Sequence, residues 1–506
     1  MSEEKVFYKD YYKEKQIQLI KSIIPEDKYG AFTPLVYDIL LRRAYTFEQS
    51  DEDIIRDAKK VMENITKIEF ARKDQFEDDI SVLGQYDREI GIIQLNADSY
   101  ERNFNKDQLY EALTHEVYHA IATDKRDPEH ITTGLKFFDE QGELVGTTFN
   151  EIFNEAAADL TAVNRENYEK QTGIHFPSSY YSISFFAPLL ARIFGLSEKD
   201  LYKEGITDRK RFYEFLSSKL PEDKREDFIK SLDDMEVQLE TIFSIRTKDD
   251  SEKLPTDGDD LEKCMESITK FSYQTLQTII QNDSRINPIT YKDYYYRLVQ
   301  TMAILLKERH RLMLDPQNDK IMTMEEYNQT YNLMSIIKYI SKFDSSYSNE
   351  EKKLILDRIL SSKKEKPLEK VRDSLFFIDG IAKGRKVPTK FPKNIGAHDK
   401  LIEFLYIDRN FDSGKVYDNS GVHQMIDKAY NEFISQKAAT IKPKDIAVAD
   451  QARDITQEEI RNVEAVFRQI SEMEKSSRGE NPEHDWNKQK IYWSNGSIKS
   501  FRFKIL

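Results

Sequence analysis

Residues 114–119 read Thr-His-Glu-Val-Tyr-His, and no other stretch restricts the chain as much. On a helix, His115 and His119 stand four residues apart, so both imidazoles leave one face and can share a metal ion. Glu116 lies beside them, where a carboxylate can take a proton from a metal-bound water. Such a pair is incomplete alone, because zinc in a catalytic site takes three protein ligands and keeps a fourth position for water.

The flanking pattern supplies the helix. Leu109, Leu113, Glu116, Val117 and Ala120 repeat on a 3–4 spacing, which predicts a helix over about 105–123, ended by Asp124-Lys125-Arg126-Asp127-Pro128. Upstream, Ser50-Asp51-Glu52-Asp53 reads as a helix start, followed by Ile54, Ala58, Val61, Met62 and Ile65 at helical spacing. Residues 67–71, 80–83 and 90–95 are expected strands, with 85–89 as the hairpin turn.

A second helix is predicted over roughly 149–168, and it offers Glu151, Glu155 and Asp159 at i, i+4 and i+8, all near one face. Two registers follow. Either Glu155 is the third ligand and Asp159 orients a histidine, or Glu151 is the ligand and Glu155 takes the outer role. The first is preferred, because Ala156, Ala157 and Ala158 let two helices approach as closely as metal bonds demand.

The two segments together resemble the gluzincin metallopeptidases, the thermolysin-like group, whose pattern is H-E-x-x-H followed by N-E-x-x-[SA]-D. Here these are His115-Glu116-x-x-His119 and Asn154-Glu155-Ala156-x-x-Asp159, within a resemblance covering roughly residues 50–195. The resemblance implies a zincin-like catalytic domain, Zn²⁺ held by His115, His119 and Glu155, Asp159 behind a ligand histidine, and Glu116 as general base and then proton donor to the leaving amine. It also implies that an edge strand just before the site helix, here residues 90–95, binds extended peptide by strand addition. The stretch from His119 to Glu155 is longer than that family's norm, and no downstream motif matches its transition-state histidine. His175, Tyr180 and Tyr181 follow the ligand helix and are candidates for that role.

The rest of the chain sets limits on the partner. With 506 residues it exceeds one core, and the expected class is α+β: a zincin-like domain with a small mixed sheet, then a mainly helical C-terminal region with a terminal β-hairpin. The expected parts are 1–245 (the metallopeptidase domain with its N-terminal helices), 246–260 (a linker), 261–375 (helical), 376–420 (an irregular basic connector) and 421–506 (helical, ending in the hairpin around Asn495-Gly496). A net charge of −14 argues against a general nucleic-acid binder. One cysteine, Cys264, excludes a disulfide framework or a Cys-rich zinc site. No apolar run is long enough to span a membrane and the first residues lack an apolar signal segment, so a cytoplasmic address is expected.

The expected function is zinc-dependent hydrolysis of a peptide or protein, with metal-bound water activated by Glu116. The alternative is a regulatory or partner-binding protein with restricted or no peptidase activity, whose helical C-terminal region meets a protein partner. A third reading, a closed structural zinc site, would need Asp159 or Glu151 as a fourth ligand.

Overall fold

The computed structural model describes residues 14–72, 82–101, 106–139, 141–162, 182–248, 252, 254, 256–283, 288–313, 346–364, 367–384, 419–440, 491–492 and 498–499. Their structure is mostly helical with small sheets, an α+β arrangement. Helices α1 (Glu14–Lys21), α2 (Thr33–Thr46) and α3 (Asp51–Asn64) come first. α3 begins where its sequence says it should. The Asp53 amide donates to Ser50 Oγ at 3.2 Å and the Ser50 amide donates to Asp53 Oδ2 at 3.3 Å, a reciprocal capping box. Its Ile54, Ala58 and Val61 face is buried.

The sheet beside the site has three strands, β1 (Lys67–Ala71), β2 (Gly84–Asp87) and β3 (Ile92–Asn96), in the order β1-β3-β2. β1 runs parallel to β3, pairing Lys67 with Ile92, and β2 runs antiparallel, pairing Tyr86 with Ile93. This corrects two expectations. The strand at 90–95 is central rather than an edge, because β1 takes its far side. Among the described residues β1 and β2 are the two edges, and β2 occupies residues expected to form the turn. The turn lies one step later. Asp87 Oδ1 accepts from the amides of Glu89 (2.9 Å) and Ile90 (3.2 Å), and Gly91 closes it at φ +71°. A Cβ on Gly91 would meet Asn64 O at 2.4 Å, so only glycine fits. Residues 80 and 81 lie outside the described residues, while Val82 and Leu83 precede β2.

After the short helix α4 (Ala97–Glu101) comes α5 (Lys106–Ala122), which carries the histidines. Two ribbons of two-residue strands follow, β4 (Thr123–Asp124) with β5 (Thr132–Thr133) and β6 (Phe137–Phe138) with β7 (Leu144–Val145). α6 (Thr147–Ala162) then packs against α5 as the next helix in the chain. Ala156, Ala157 and Ala158 are fully buried, which allows the close approach. Across the seam Asn154 Nδ2 donates to His115 O at 2.9 Å, and the hydroxyls of Tyr118 and Thr161 are 2.6 Å apart.

The end of α6 is held by a buried ion pair. Arg42 and Asp38, both on α2 and both fully buried, meet at 2.8 Å, and Tyr110 of α5 donates to the same carboxylate. Arg42 also donates to Ala162 O at 2.6 Å and Asn419 Oδ1 at 2.7 Å. Arg42→Met would strand Asp38 as an uncompensated buried charge. The expected loss in denaturant-unfolding stability is about 3–5 kcal/mol, and Asp38→Asn in the same chain should recover part of it.

The helical remainder begins with α7 (Phe186–Phe194), α8 (Glu198–Gly205), α9 (Arg209–Ser217) and α10 (Arg225–Thr247). It continues with α11 (Asp257–Asn282), α12 (Pro288–Met313), α13 (Asn349–Leu360) and α14 (Pro367–Gly384). The segment expected as a linker joins α10 and α11, which pack on one another. It is tied down by Asp257, which accepts from the Leu254 amide at 2.8 Å and pairs with Lys248 at 3.0 Å. α14 extends through 376–384, where an irregular connector was expected, with Leu375 and Ile378 buried along its face. The rest of that connector to 418 lies outside the described residues.

α15 (Ser420–Thr440) starts with His423 Nε2 at 2.8 Å from Asp107 Oδ1, while Asp427 accepts from Lys106 and Tyr100. Compact units cover 1–430 and 431–506. In the second, β8 (Ile491–Tyr492) and β9 (Ile498–Lys499) pair antiparallel on either side of the Asn495-Gly496 turn signal; the Phe501, Phe503 and Ile505 face lies outside the described residues. No described helix is long and apolar enough to cross a membrane.

Cys264 is buried on α11, and burial pushes its thiol up to about 11, with Asp260 adding to the shift. At pH 8 the thiolate fraction is then on the order of one in a thousand. Alkylation of the folded chain should run about a hundredfold slower than of the urea-unfolded chain, followed by mass spectrometry across pH 7–9.

Candidate metal centre

α5 places its histidines by burying everything behind them. Leu109, Leu113, Val117 and Ala120 are fully covered, while His115, Glu116 and His119 keep 6%, 8% and 8% exposure. The three therefore sit at the border of the apolar face, where a side chain is fixed by packing and still reachable. The two imidazole rings are 4.5 Å apart between centroids and nearly perpendicular, at 82°.

α6 brings its acidic stripe to those rings in the second of the two registers. Glu151 Oε2 is 3.2 Å from His115 Nε2 and 3.2 Å from His119 Nε2. Glu155 Oε2 is 2.9 Å from the other nitrogen of His115, Nδ1. The residue facing both histidines is therefore Glu151, one helical turn before the preferred Glu155, and Glu155 meets only His115. The fully buried alanine run lies C-terminal to the Glu151 turn that meets the histidines. Glu155 consequently meets the inner side of the His115 ring, and Asp159 is fully buried one turn beyond it.

Two participants carried no sequence signal. Asn150 spans from the ribbon to the second histidine: its Oδ1 accepts from the Leu135 amide at 3.0 Å and its Nδ2 is 3.3 Å from His119 Nδ1. The preceding Gly134, at φ +58°, lets the ribbon pass so near that a Cβ would sit 2.3 Å from Asn150 Oδ1. Lys136 Nζ lies 3.0 Å from Glu151 Oε1. His175, Tyr180 and Tyr181 lie outside the described residues.

The electrostatics follow from burial and contact. For His115, burial opposes the charged form, but hydrogen bonds to Glu151 and Glu155 outweigh it and hold the imidazole well above its ordinary value. For Glu151, burial again opposes the charge. His119 and His115, with Lys136, nonetheless bring the carboxyl well below the usual range. Glu116 goes the other way: burial raises it, against the pull of His115 and His119. Burial and contact thus shift the two neighbouring carboxyls in opposite directions.

His115, His119 and Glu151 each offer one ligand atom, and these lie within 4.8 Å of one another. Two imidazole nitrogens and a carboxylate oxygen are donors that divalent transition metals accept, and they converge where His115 Nε2 and His119 Nε2 face Glu151 Oε2. Among the described residues this group contains three candidate ligands. No family model, curated protein or solved structure matches the chain.

Proposed function

We propose that the chain is a zinc-dependent peptide hydrolase of gluzincin type, its metal held by His115, His119 and Glu151. The observation that carries this reading is the convergence of the two Nε2 atoms on one Glu151 oxygen beside a buried Glu116. Zinc bound there would acidify a water and polarise a scissile carbonyl. Glu116 would accept the water proton and pass it to the departing nitrogen. Burial raises its pKa, which suits both steps, since a base and acid works best when poised nearer the working pH.

β2 completes the proposal as a substrate platform. Among the described residues it is a sheet edge, and its Gly84 lies against Glu116: a Cβ there would come 3.4 Å from Glu116 Cγ. An extended peptide added to β2 would run past the base with its backbone hydrogen-bonded and its carbonyl turned toward the metal. Glu155 and Asn150 would orient His115 and His119 from behind.

A second reading, a zincin-like module of restricted activity serving one partner, draws on how little of the site is open: each histidine and Glu116 is exposed by 8% or less. One experiment separates the two. Zinc-loaded protein is incubated with a peptide library, with and without a chelator, and then resupplied with zinc. General cleavage that disappears with chelation and returns with zinc supports the hydrolase. Zinc binding with no cleavage supports the partner module, and cleavage indifferent to chelation refutes the metal mechanism.

A further inference from the structure

Lys136 enters the site from the segment joining the two ribbons, between β5 and β6, and nothing in the hydrolytic scheme above requires it. Its Nζ holds Glu151 Oε1 at 3.0 Å, while Oε2 of the same carboxylate faces both histidines. The side chain is 18% exposed, so this is a largely covered ion pair rather than a solvated surface contact.

That segment fixes where Lys136 can reach. Leu135 is fully buried and its amide is held by Asn150, whose other end meets His119. The Lys136 amide donates to Thr133 O at 3.1 Å. Two consecutive residues therefore brace both sides of the centre, Leu135 through Asn150 onto His119 and Lys136 directly onto Glu151.

A carboxylate can bind a cation through one oxygen or two. With Oε1 engaged by an ammonium, one oxygen is left. The ammonium is also a point charge one carboxylate away from the position a dication would occupy, and like charges at that range oppose one another. Resting on the reading that His115, His119 and Glu151 hold a metal, we propose that Lys136 is a positioning residue of that centre. It confines Glu151 to one oxygen and weakens cation binding by its own charge.

The test is zinc affinity by competition with a chromophoric chelator, together with the visible spectrum of the cobalt(II)-substituted protein. Wild type, Lys136→Met, Lys136→Gln and Lys136→Arg are compared as full chains. Lys136→Met should bind zinc about tenfold more tightly. Its cobalt absorption should weaken as Glu151 engages through both oxygens and the coordination number rises. Lys136→Gln, should the methionine variant not fold, is expected to show the same tighter zinc binding. Lys136→Arg keeps the charge and should stay within about threefold of wild type. Zinc binding that is unchanged or weaker in both neutral variants, or a cobalt spectrum that does not respond in Lys136→Met, overturns the proposal while leaving the metal centre standing. A wild type that binds neither ion at one equivalent removes the centre and this role together.

Discussion

Glu116→Gln is expected to abolish peptide hydrolysis while leaving zinc bound. The glutamine amide keeps the shape and the buried position of Glu116 but can neither accept a proton from water nor return one to an amine. A positioned general acid–base contributes roughly a factor of 10²–10⁴, and kcat should fall by that much with little change in KM. Metal content should stay at one equivalent, because Glu116 is not among the three converging side chains. Removing a charge that burial already disfavours should not cost stability either. Stopped assays on a fluorogenic peptide, with zinc measured on the same sample, check both halves. Normal turnover in this variant would refute the role given to Glu116.

Glu151→Gln and Glu155→Gln should behave differently, and the contrast distinguishes the two registers. Glu151 Oε2 faces both Nε2 atoms, whereas Glu155 meets Nδ1 of His115 only. Loss of a direct ligand should drop zinc well below one equivalent at micromolar metal, together with activity. Loss of the carboxylate behind His115 should weaken zinc by about 10–100-fold, which excess metal restores. Titration calorimetry on both variants reads the difference. Equal and complete loss in Glu155→Gln, with Glu151→Gln unaffected, would return the ligand to the register preferred from sequence.

That register was ambiguous for a physical reason. Glu151, Glu155 and Asp159 share one helix face, so periodicity says that the stripe points at α5 but not how far α6 slides along it. His115, Glu116 and His119 had no such freedom, since their relation is internal to one helix. α3 was equally legible, because a capping box and an apolar face are both local. The hairpin was displaced because Gln85-Tyr86-Asp87 looked polar enough for a turn. In the fold, Gln85 pairs across to Gln94 at 2.7 Å, and Tyr86 donates to Asn64 O at 3.2 Å. Asp87 and Gly91 had carried the turn signal all along.

Lys136 and Asn150 were illegible for a different reason. Their contacts run through the segment between β5 and β6, strands two residues long and too short for any alternation to register. Arg42 and Asp38, four residues apart on one helix, form the buried support for the end of α6, which their spacing alone does not reveal. In each case the deciding contact is long-range in sequence, and local pattern carries no information about it.

The most direct measurement is an anomalous difference map from crystals of zinc-loaded protein, recorded on both sides of the zinc edge. One peak is expected at about 2.0–2.2 Å from Nε2 of His115, Nε2 of His119 and a single oxygen of Glu151, with Glu155 on the far side of the His115 ring. A zinc-loaded crystal with no peak between these three side chains, or with the peak bound through Glu155, would contradict the centre described here.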